Sequence, residues 1–250
     1  MKDAVKYMVV VNLTDNSFVS GDRMGALSPK AVVEKVGEML SVGADIIDVG
    51  ACSTAPGNAP VAVSKEWDRF SAVLPALFSA YPEACFSIDS SHISVLRKAY
   101  GLALRYLDNP SGQLIVNDVS GAASPAILRF AAHNGLCYIA MCTGTDPEGF
   151  FKDFAVRAAA AGLEKWILDP GFGFGKSIDR NWEILRNLHS LKSFGVPVLC
   201  ALSRKRMIYF PLGLSPDTCA EQSVEAEMLA ISEGASIIRT HDLILHLCRQ

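Results

Sequence analysis

The sequence predicts an α/β fold, a single-domain (β/α)8 TIM barrel over residues 1-250. Three observations carry that expectation. Short apolar or β-branched runs recur along the whole chain, each is followed by a stretch with helical spacing, and polar residues gather where the runs end. No linker, internal repeat or low-complexity segment sets off a second domain. An open doubly wound sheet is the competing architecture, but it usually takes fewer strands in this length.

The runs, in order, are 8–11, 45–49, 85–88, 114–116, 136–140, 166–168, 198–201 and 236–238. None alternates polar with apolar residues, so each is expected to be buried on both faces, as parallel strands are. The first connecting helix, 29–40, follows Ser28, a good N-cap residue, with Pro29 at the first helical position. Gly43 supplies its stop. Helices are expected in turn at 63–80, 92–100, 125–134, 147–161, 179–191, 218–233 and 243–249. Gly135, Gly162, Gly195 and Gly234 each fall just ahead of a strand, where a helix C-cap belongs. Between Leu114 and Leu136 there is room for only a brief helix, which makes that the thinnest unit.

Half of the residues are hydrophobic and a fifth are charged, as in a globular protein with a substantial core. Net charge is -3 and the lysines and arginines form no runs, so neither nucleic acid nor an anionic membrane is an expected partner. Any anion must be met locally. The seven cysteines are odd in number and irregularly spaced, without Cys-x-x-Cys, which argues against a disulfide framework or structural zinc. The opening residues hold too short an apolar stretch for a secretory leader, and no apolar run has the length of a membrane span. A cytoplasmic location is expected.

The segment Trp166-Ile-Leu-Asp-Pro-Gly-Phe-Gly-Phe-Gly-Lys176 is the most informative part of the chain. Three apolar residues run into Asp169, and Pro170 with three glycines then stops both helix and strand. Such a strand end presents its carboxylate, and glycines let backbone N–H groups approach a ligand. The segment is neither a P-loop nor a dinucleotide fingerprint, since Pro170 takes the first glycine position of one and the glycines alternate strictly.

In a barrel of this type the C-terminal strand ends form the functional rim. In order, this rim holds Asn12, Asp48, Asp89, Asn117 with Asp118, Met141, Asp169, Lys205, and Arg239 with His241. Asp48 and Asp118 read more simply as helix caps. Asp89, Asn117 and Asp169 aim acceptors at one space. A flat heterocycle with an aminopyrimidine edge offers adjacent N–H donors that a carboxylate accepts bidentately. Lys205 is the complementary donor for a ring carbonyl or ring nitrogen. Phe172 and Phe174 either close over such a ring or simply pack. Arg239 and His241, two residues apart on an extended segment, point the same way and suit phosphate oxygens. A surface ion pair between Arg239 and Asp242 is the plainer alternative. Ser53 and Thr54 lie on a loop able to donate further hydrogen bonds. Together these residues describe a barrel that binds a donor-rich ring centrally and an anion to one side, without naming a reaction.

Several motifs along the chain, in order, resemble those of a known enzyme family. Asn12-Leu-Thr-Asp-Asn-Ser-Phe18 is similar to the family's Asn-Val-Thr-Pro-Asp-Ser-Phe. Gly43-Ala-Asp-Ile-Ile-Asp-Val-Gly50 and Ser53-Thr-Ala-Pro-Gly57 resemble its second strand and loop. Ser87-Ile-Asp-Ser90, Val116-Asn-Asp-Val-Ser-Gly121, the segment from Leu168 to Lys176, Leu202-Ser-Arg-Lys205 and Ile238-Arg-Thr-His-Asp242 follow in the family's order. On these motifs the chain resembles the dihydropteroate synthases, folate-pathway enzymes and targets of sulfonamides. The resemblance implies a barrel, usually a homodimer, that joins 6-hydroxymethyl-7,8-dihydropterin diphosphate to p-aminobenzoate and releases pyrophosphate. It implies that Asp89, Asn117, Asp169 and Lys205 hold the pterin, with Phe174 over it. Asn12, Arg239 and His241 would hold the diphosphate, with Mg2+ at Asn12. Thr54 and Ser203 would lie beside the aminobenzoate. Asn12, Lys205, Arg239 and His241 are the expected catalytic residues.

Three departures from the family pattern stand out. Ala55 takes the place of an arginine, Asp15 and Asn16 replace Pro-Asp in the first loop, and Met141-Cys142 replaces a His-Met pair. They leave two other expectations open: a non-catalytic pterin-binding paralogue, and a methyltransferase of the same superfamily acting on a reduced folate. Retention of Arg239 and His241 counts against the latter, whose methyl donor carries no diphosphate.

Overall fold

The computed structural model describes residues 4–14, 28–52 and 61–249. Eight parallel strands form one sheet: β1 (Lys6–Asn12), β2 (Ile46–Gly50), β3 (Cys85–Asp89), β4 (Leu114–Asp118), β5 (Cys137–Met141), β6 (Trp166–Asp169), β7 (Leu199–Cys200) and β8 (Ile237–Thr240). Their order is β6-β5-β4-β3-β2-β1-β8-β7. The two ends meet where Leu168 of β6 bridges Val198, just ahead of β7, and the Leu168 N–H donates to the Pro197 carbonyl at 2.9 Å. The sheet is thus a closed barrel with one thin seam.

The helices around it are α1 (Pro29–Ser41), α2 (Val63–Ala80), α3 (Ile93–Tyr106), α4 (Pro110–Gln113), α5 (Pro125–His133), α6 (Pro147–Ala161), α7 (Ile178–Arg186), α8 (Arg206–Tyr209), α9 (Ala220–Ser232) and α10 (Leu243–Leu247). Ser28 caps α1 as expected, its Oγ accepting from the Ala31 N–H at 3.3 Å. Gly162 ends α6 in the left-handed region at φ 72°, where a Cβ would be strained. The brief helix after β4 is the nine-residue α5. The expected 179–191 helix instead stops at Arg186 and continues as a 3-10 turn, Leu188–Phe194. The short α4 and α8 lack a periodic pattern long enough to reveal them.

Most strands run one or two residues beyond their apolar runs, so that Asn12, Asp89, Asn117, Asp118 and Asp169 lie inside the ladder. Main-chain pairing is indifferent to side-chain polarity, and alternate residues point to opposite faces. Inward-facing Met8, Ile46, Ile115, Ile139, Ile167, Leu199, Ala201 and Ile237 fill the barrel. Outward-facing residues such as Val9, Ile47, Phe86, Val116, Tyr138 and Ile238 join the much larger layer beneath the helices. Above the apolar filling the inward positions turn polar, and the ligand-facing rim begins there.

Asp118 belongs to the outer layer. Its Oδ2 accepts from the buried Tyr138 hydroxyl at 2.6 Å and its Oδ1 from the Ser120 N–H at 3.0 Å, so it pins β4 to β5 and caps no helix. Tyr138→Phe would strand a buried carboxylate oxygen, at a cost of roughly 1–3 kcal/mol. The expected outcome is a lowered midpoint in thermal unfolding, with ligand binding intact.

Candidate active site

Five strands and the segment after β7 supply the site. Asn12 closes β1, Asp89 closes β3, Asn117 precedes the last residue of β4, Asp169 closes β6, Arg239 lies in β8, and Ser203 with Lys205 follows β7. In register, Asn12 pairs with Gly50, Gly50 with Asp89, and Asp89 with Asn117, so these stand side by side at one level. Gly50 matters for its size. A Cβ there would lie 3.5 Å from Asn12 Oδ1 and 3.7 Å from Asp89 Oδ2, filling the space between two side-chain oxygens.

Arg239 is central. Its Nε donates to Asp48 Oδ2 at 2.7 Å, and its Nη2 lies 3.8 Å from Asp89 Oδ2. Burial works against the guanidinium charge, but Asp48 and Asp89 outweigh it and hold the Arg239 pKa above the usual arginine value. The expected alternative, an Arg239–Asp242 pair, does not form. Asp242 is instead gripped by Arg204, with Nε to Oδ2 at 3.0 Å and Nη2 to Oδ1 at 2.5 Å. Asp48 is no helix cap either: it sits within β2, fully buried, and its Oδ1 accepts from Asn117 Nδ2 at 3.2 Å.

Burial pushes the Asp89 carboxyl up, and neighbouring Asp48 adds to this while Arg239 opposes it. Burial also raises Asp169, against the pull of Lys205 and the Gly171 N–H, which donates to Asp169 Oδ1 at 2.8 Å. Lys205 is shifted the other way, down to about 8, because burial disfavours its charge more than Asp169 restores it. Its Nζ donates to the Phe172 carbonyl and lies 5.0 Å from the centre of the Phe174 ring. Phe172 itself is fully buried and is packing; Phe174 remains partly exposed beside Lys205.

His241 is held down to about 3 by burial first and by Arg239 second, so it is neutral in the free protein. Its Nδ1 lies 2.9 Å from Ser203 Oγ. The Ser203 hydroxyl also reaches Asp242 Oδ2, at 3.4 Å, but Asp242 is already bidentate with Arg204; donation to Nδ1, the shorter contact, leaves the ring proton on Nε2. Ser203 is buried, and its Oγ also accepts the His241 backbone N–H at 3.2 Å, so it holds His241 from two sides. Thr54, with Ser53, Ala55, Asp15 and Asn16, lies outside the described residues.

Two supports went unread in the sequence. Lys176 donates to the carbonyls of Cys142, Gly171 and Phe174 at 2.8, 2.9 and 3.1 Å, cinching the loop that presents Asp169. Arg204 adopts φ 57°, uncommon for a residue with a side chain, and is held there by Asp242 and by Ser223 Oγ, which accepts its N–H at 2.9 Å. The signal for Lys176 was its place at the end of the glycine run. For Arg204 there was none.

A barrel whose mouth pairs buried acids and a lysine for a flat donor-rich ring with an arginine for an anion defines a class of pterin-binding enzymes. The comparisons agree. The model of the family described as Pterin binding enzyme matches residues 8–241, and the chain belongs to that family. Dihydropteroate synthase of Escherichia coli strain K12 is 32% identical over 254 residues, spanning 94% of this chain and 86% of that protein. Dihydropteroate synthase of Thermus thermophilus in complex with 6HMPPP superposes with a TM-score of 0.80 at 32% identity, covering 98% of this chain and 92% of that one. The same enzyme in complex with 4-aminobenzoate gives 0.83 at 31% identity, covering 100% and 93%.

Because Lys205 loses its proton above about 8, a ring acceptor that depends on its charge should bind less well there. Pterin affinity measured by calorimetry should tend toward an about tenfold loss per pH unit above that point. Lys205→Met should bind weakly and without that inflection.

Proposed function

We propose that this protein condenses 6-hydroxymethyl-7,8-dihydropterin diphosphate with p-aminobenzoate, giving 7,8-dihydropteroate and pyrophosphate, a transferase step of folate biosynthesis. One observation carries the reading. Asp89, Asn117, Asp169 and Lys205 meet at one mouth with Arg239, whose guanidinium is shared with Asp48 and Asp89.

The carboxylates accept from the pterin's amino and ring N–H groups, and Lys205 donates to its carbonyl or ring nitrogen. Asp169 is positioned for this by the Gly171 N–H, which holds one oxygen and leaves the other for the ring. The bond between the pterin methylene and the diphosphate oxygen breaks with its electron pair leaving on the diphosphate. Arg239 meets that charge as a permanent cation, and neutral His241 meets it with an N–H. The positive charge left on the methylene is conjugated into the ring, where the surrounding acids tolerate it. The aminobenzoate nitrogen then supplies its lone pair to the methylene and sheds one proton. No strong base is required, consistent with a rim histidine held neutral for another purpose.

Mg2+ belongs to the same reading. Among the described residues no group of three or more His, Cys, Asp or Glu side chains could hold a metal alone. The Asn12 carboxamide oxygen, beside the small Gly50, still fits a cation that takes one protein oxygen and otherwise binds phosphate and water. When bound, Mg2+ would add to the neutralisation of the leaving diphosphate.

A homodimer is also part of the proposal. Phe210 and Leu212 are exposed beside a groove between α7, α8 and α9 lined by Trp182, Met207 and Leu229, an apolar surface suited to a second copy. The seven free cysteines support a reducing, cytoplasmic setting, and no helix among the described residues is long and apolar enough to cross a membrane.

The test is pyrophosphate release by purified protein given the pterin diphosphate, p-aminobenzoate and Mg2+. Release that depends on aminobenzoate is expected. Pterin binding without turnover would overturn the synthase reading. Asp169→Asn is expected to lower pterin affinity by about a hundredfold, with little change in thermal midpoint, because with the Gly171 N–H holding its oxygen the amide turns an NH2 donor, in place of a charged acceptor, toward the N–H groups of the ring. Retained affinity in calorimetry would show that Asp169 is not the floor of the pocket.

A further inference from the structure

We infer that Asp48 is a positioning residue that orients the ring-binding and anion-binding parts of the site at once. It lies in the middle of β2 and is fully buried. One of its oxygens accepts from Arg239 Nε at 2.7 Å and the other from Asn117 Nδ2 at 3.2 Å. These partners stand 191 and 69 residues away in sequence, on β8 and β4. The inference rests on the function proposed above, because it concerns how that site is held.

The chemistry follows from what a carboxylate is able to do. It accepts and does not donate, so Asn117 must face Asp48 with its NH2 group. That fixes the sense of the amide and leaves its carbonyl oxygen for an N–H of the ring. An Asn117 free to flip would present a donor to a donor half of the time. On the other side, Nε is the one guanidinium nitrogen that lies along the arginine stem. Holding it sets the plane of Arg239, so the two terminal nitrogens are delivered to the mouth already oriented. Asp89, 3.8 Å from Nη2, is too distant to fix that plane by itself. Asp48 therefore stands to both subsites as a hinge pin stands to two leaves, without touching either ligand.

This role differs from plain support of the core. A buried carboxylate between two donors is costly to remove in any protein, but here the loss should appear in two separable affinities. Asp48→Asn keeps the shape and offers only one acceptor to two donors. Arg239 and Asn117 then compete for that oxygen, and one of them loses its orientation in every molecule.

The experiment measures 6-hydroxymethylpterin, which lacks the diphosphate, and inorganic pyrophosphate with Mg2+ as separate ligands by calorimetry. Wild type is expected to bind both. Asp48→Asn should weaken each by about tenfold or more, since each loses a charge-assisted restraint. The decisive variant is the exchange Asp48→Asn with Asn117→Asp. There the amide at position 48 donates to the carboxylate at position 117 while its oxygen accepts from Arg239, so every bond is remade with the roles swapped. Recovery of pyrophosphate binding to within about threefold of wild type is expected, with ring binding recovered in part. Should Asp48→Asn fail to fold, the exchange variant alone decides, because it restores all three partners. The inference is overturned if Asp48→Asn weakens only one ligand or neither, if the exchange performs no better than the single change, or if the exchange also fails to fold. Wild type that binds neither ligand would instead overturn the proposed function.

Discussion

Holding like charges together in a dry place is the constraint on which this site depends. Asp48, Asp89 and Asp169 enter the mouth of an apolar barrel, where unpaired carboxylates are strongly disfavoured. Arg239 and Lys205 are the cations that make this tolerable, and neither does so completely. Asp89 and Asp169 remain raised and Lys205 remains lowered. A ligand that brings N–H donors to the acids and an anion to the arginine completes the balance. The free protein is thus under electrostatic tension of the sign that such a ligand relieves.

The backbone is arranged to keep the tension in place. The left-handed turn at Arg204 carries Ser203 to His241 on one side and Lys205 to the Phe172 carbonyl on the other. Asp242, which holds Arg204, is itself fixed by Thr240, whose hydroxyl accepts the Asp242 N–H at 3.0 Å and donates to Glu227 at 3.1 Å. Glu227 in turn lies 2.6 Å from His246, both wholly buried. A chain of bonds thus runs from α9 and α10 through β8 to the mouth. It explains why an irregular segment between β7 and α8 is able to present side chains as reproducibly as a strand does.

Much of this was legible in the order of residues, for a physical reason. Apolar runs mark strands buried on both faces, and Ser28 and Gly162 mark helix ends by capping chemistry that does not depend on the rest of the fold. Of the polar residues that end the runs, Asn12, Asp89, Asn117, Asp169, Lys205 and Arg239 do gather at one end, because parallel strands with intervening helices all face one way, whereas Asp118 turns outward. What could not be seen was side-chain partnership at long range. Asp48 resembled a cap because its partners are remote in sequence, and Asp118 looked like a rim residue because one step along a strand reverses the face. Arg239 next to Asp242 invited a local pair, whereas the fold gives each a different and better partner. Phe172 and Phe174, equivalent in the motif, are separated by burial alone.

The thin seam of the barrel has a consequence of its own. Between β6 and β7 there is a single bridge, at Leu168 and Val198, where other neighbouring strands share ladders. Asp169 stands on one lip of this gap and Lys205 on the other, joined across it by the bond from Lys205 to Phe172. A bicyclic guest gripped by both would act as the missing rung, converting a nearly split cylinder into a continuous hoop. Closure of the cylinder at its weakest line would then be shared between the chain and its occupant.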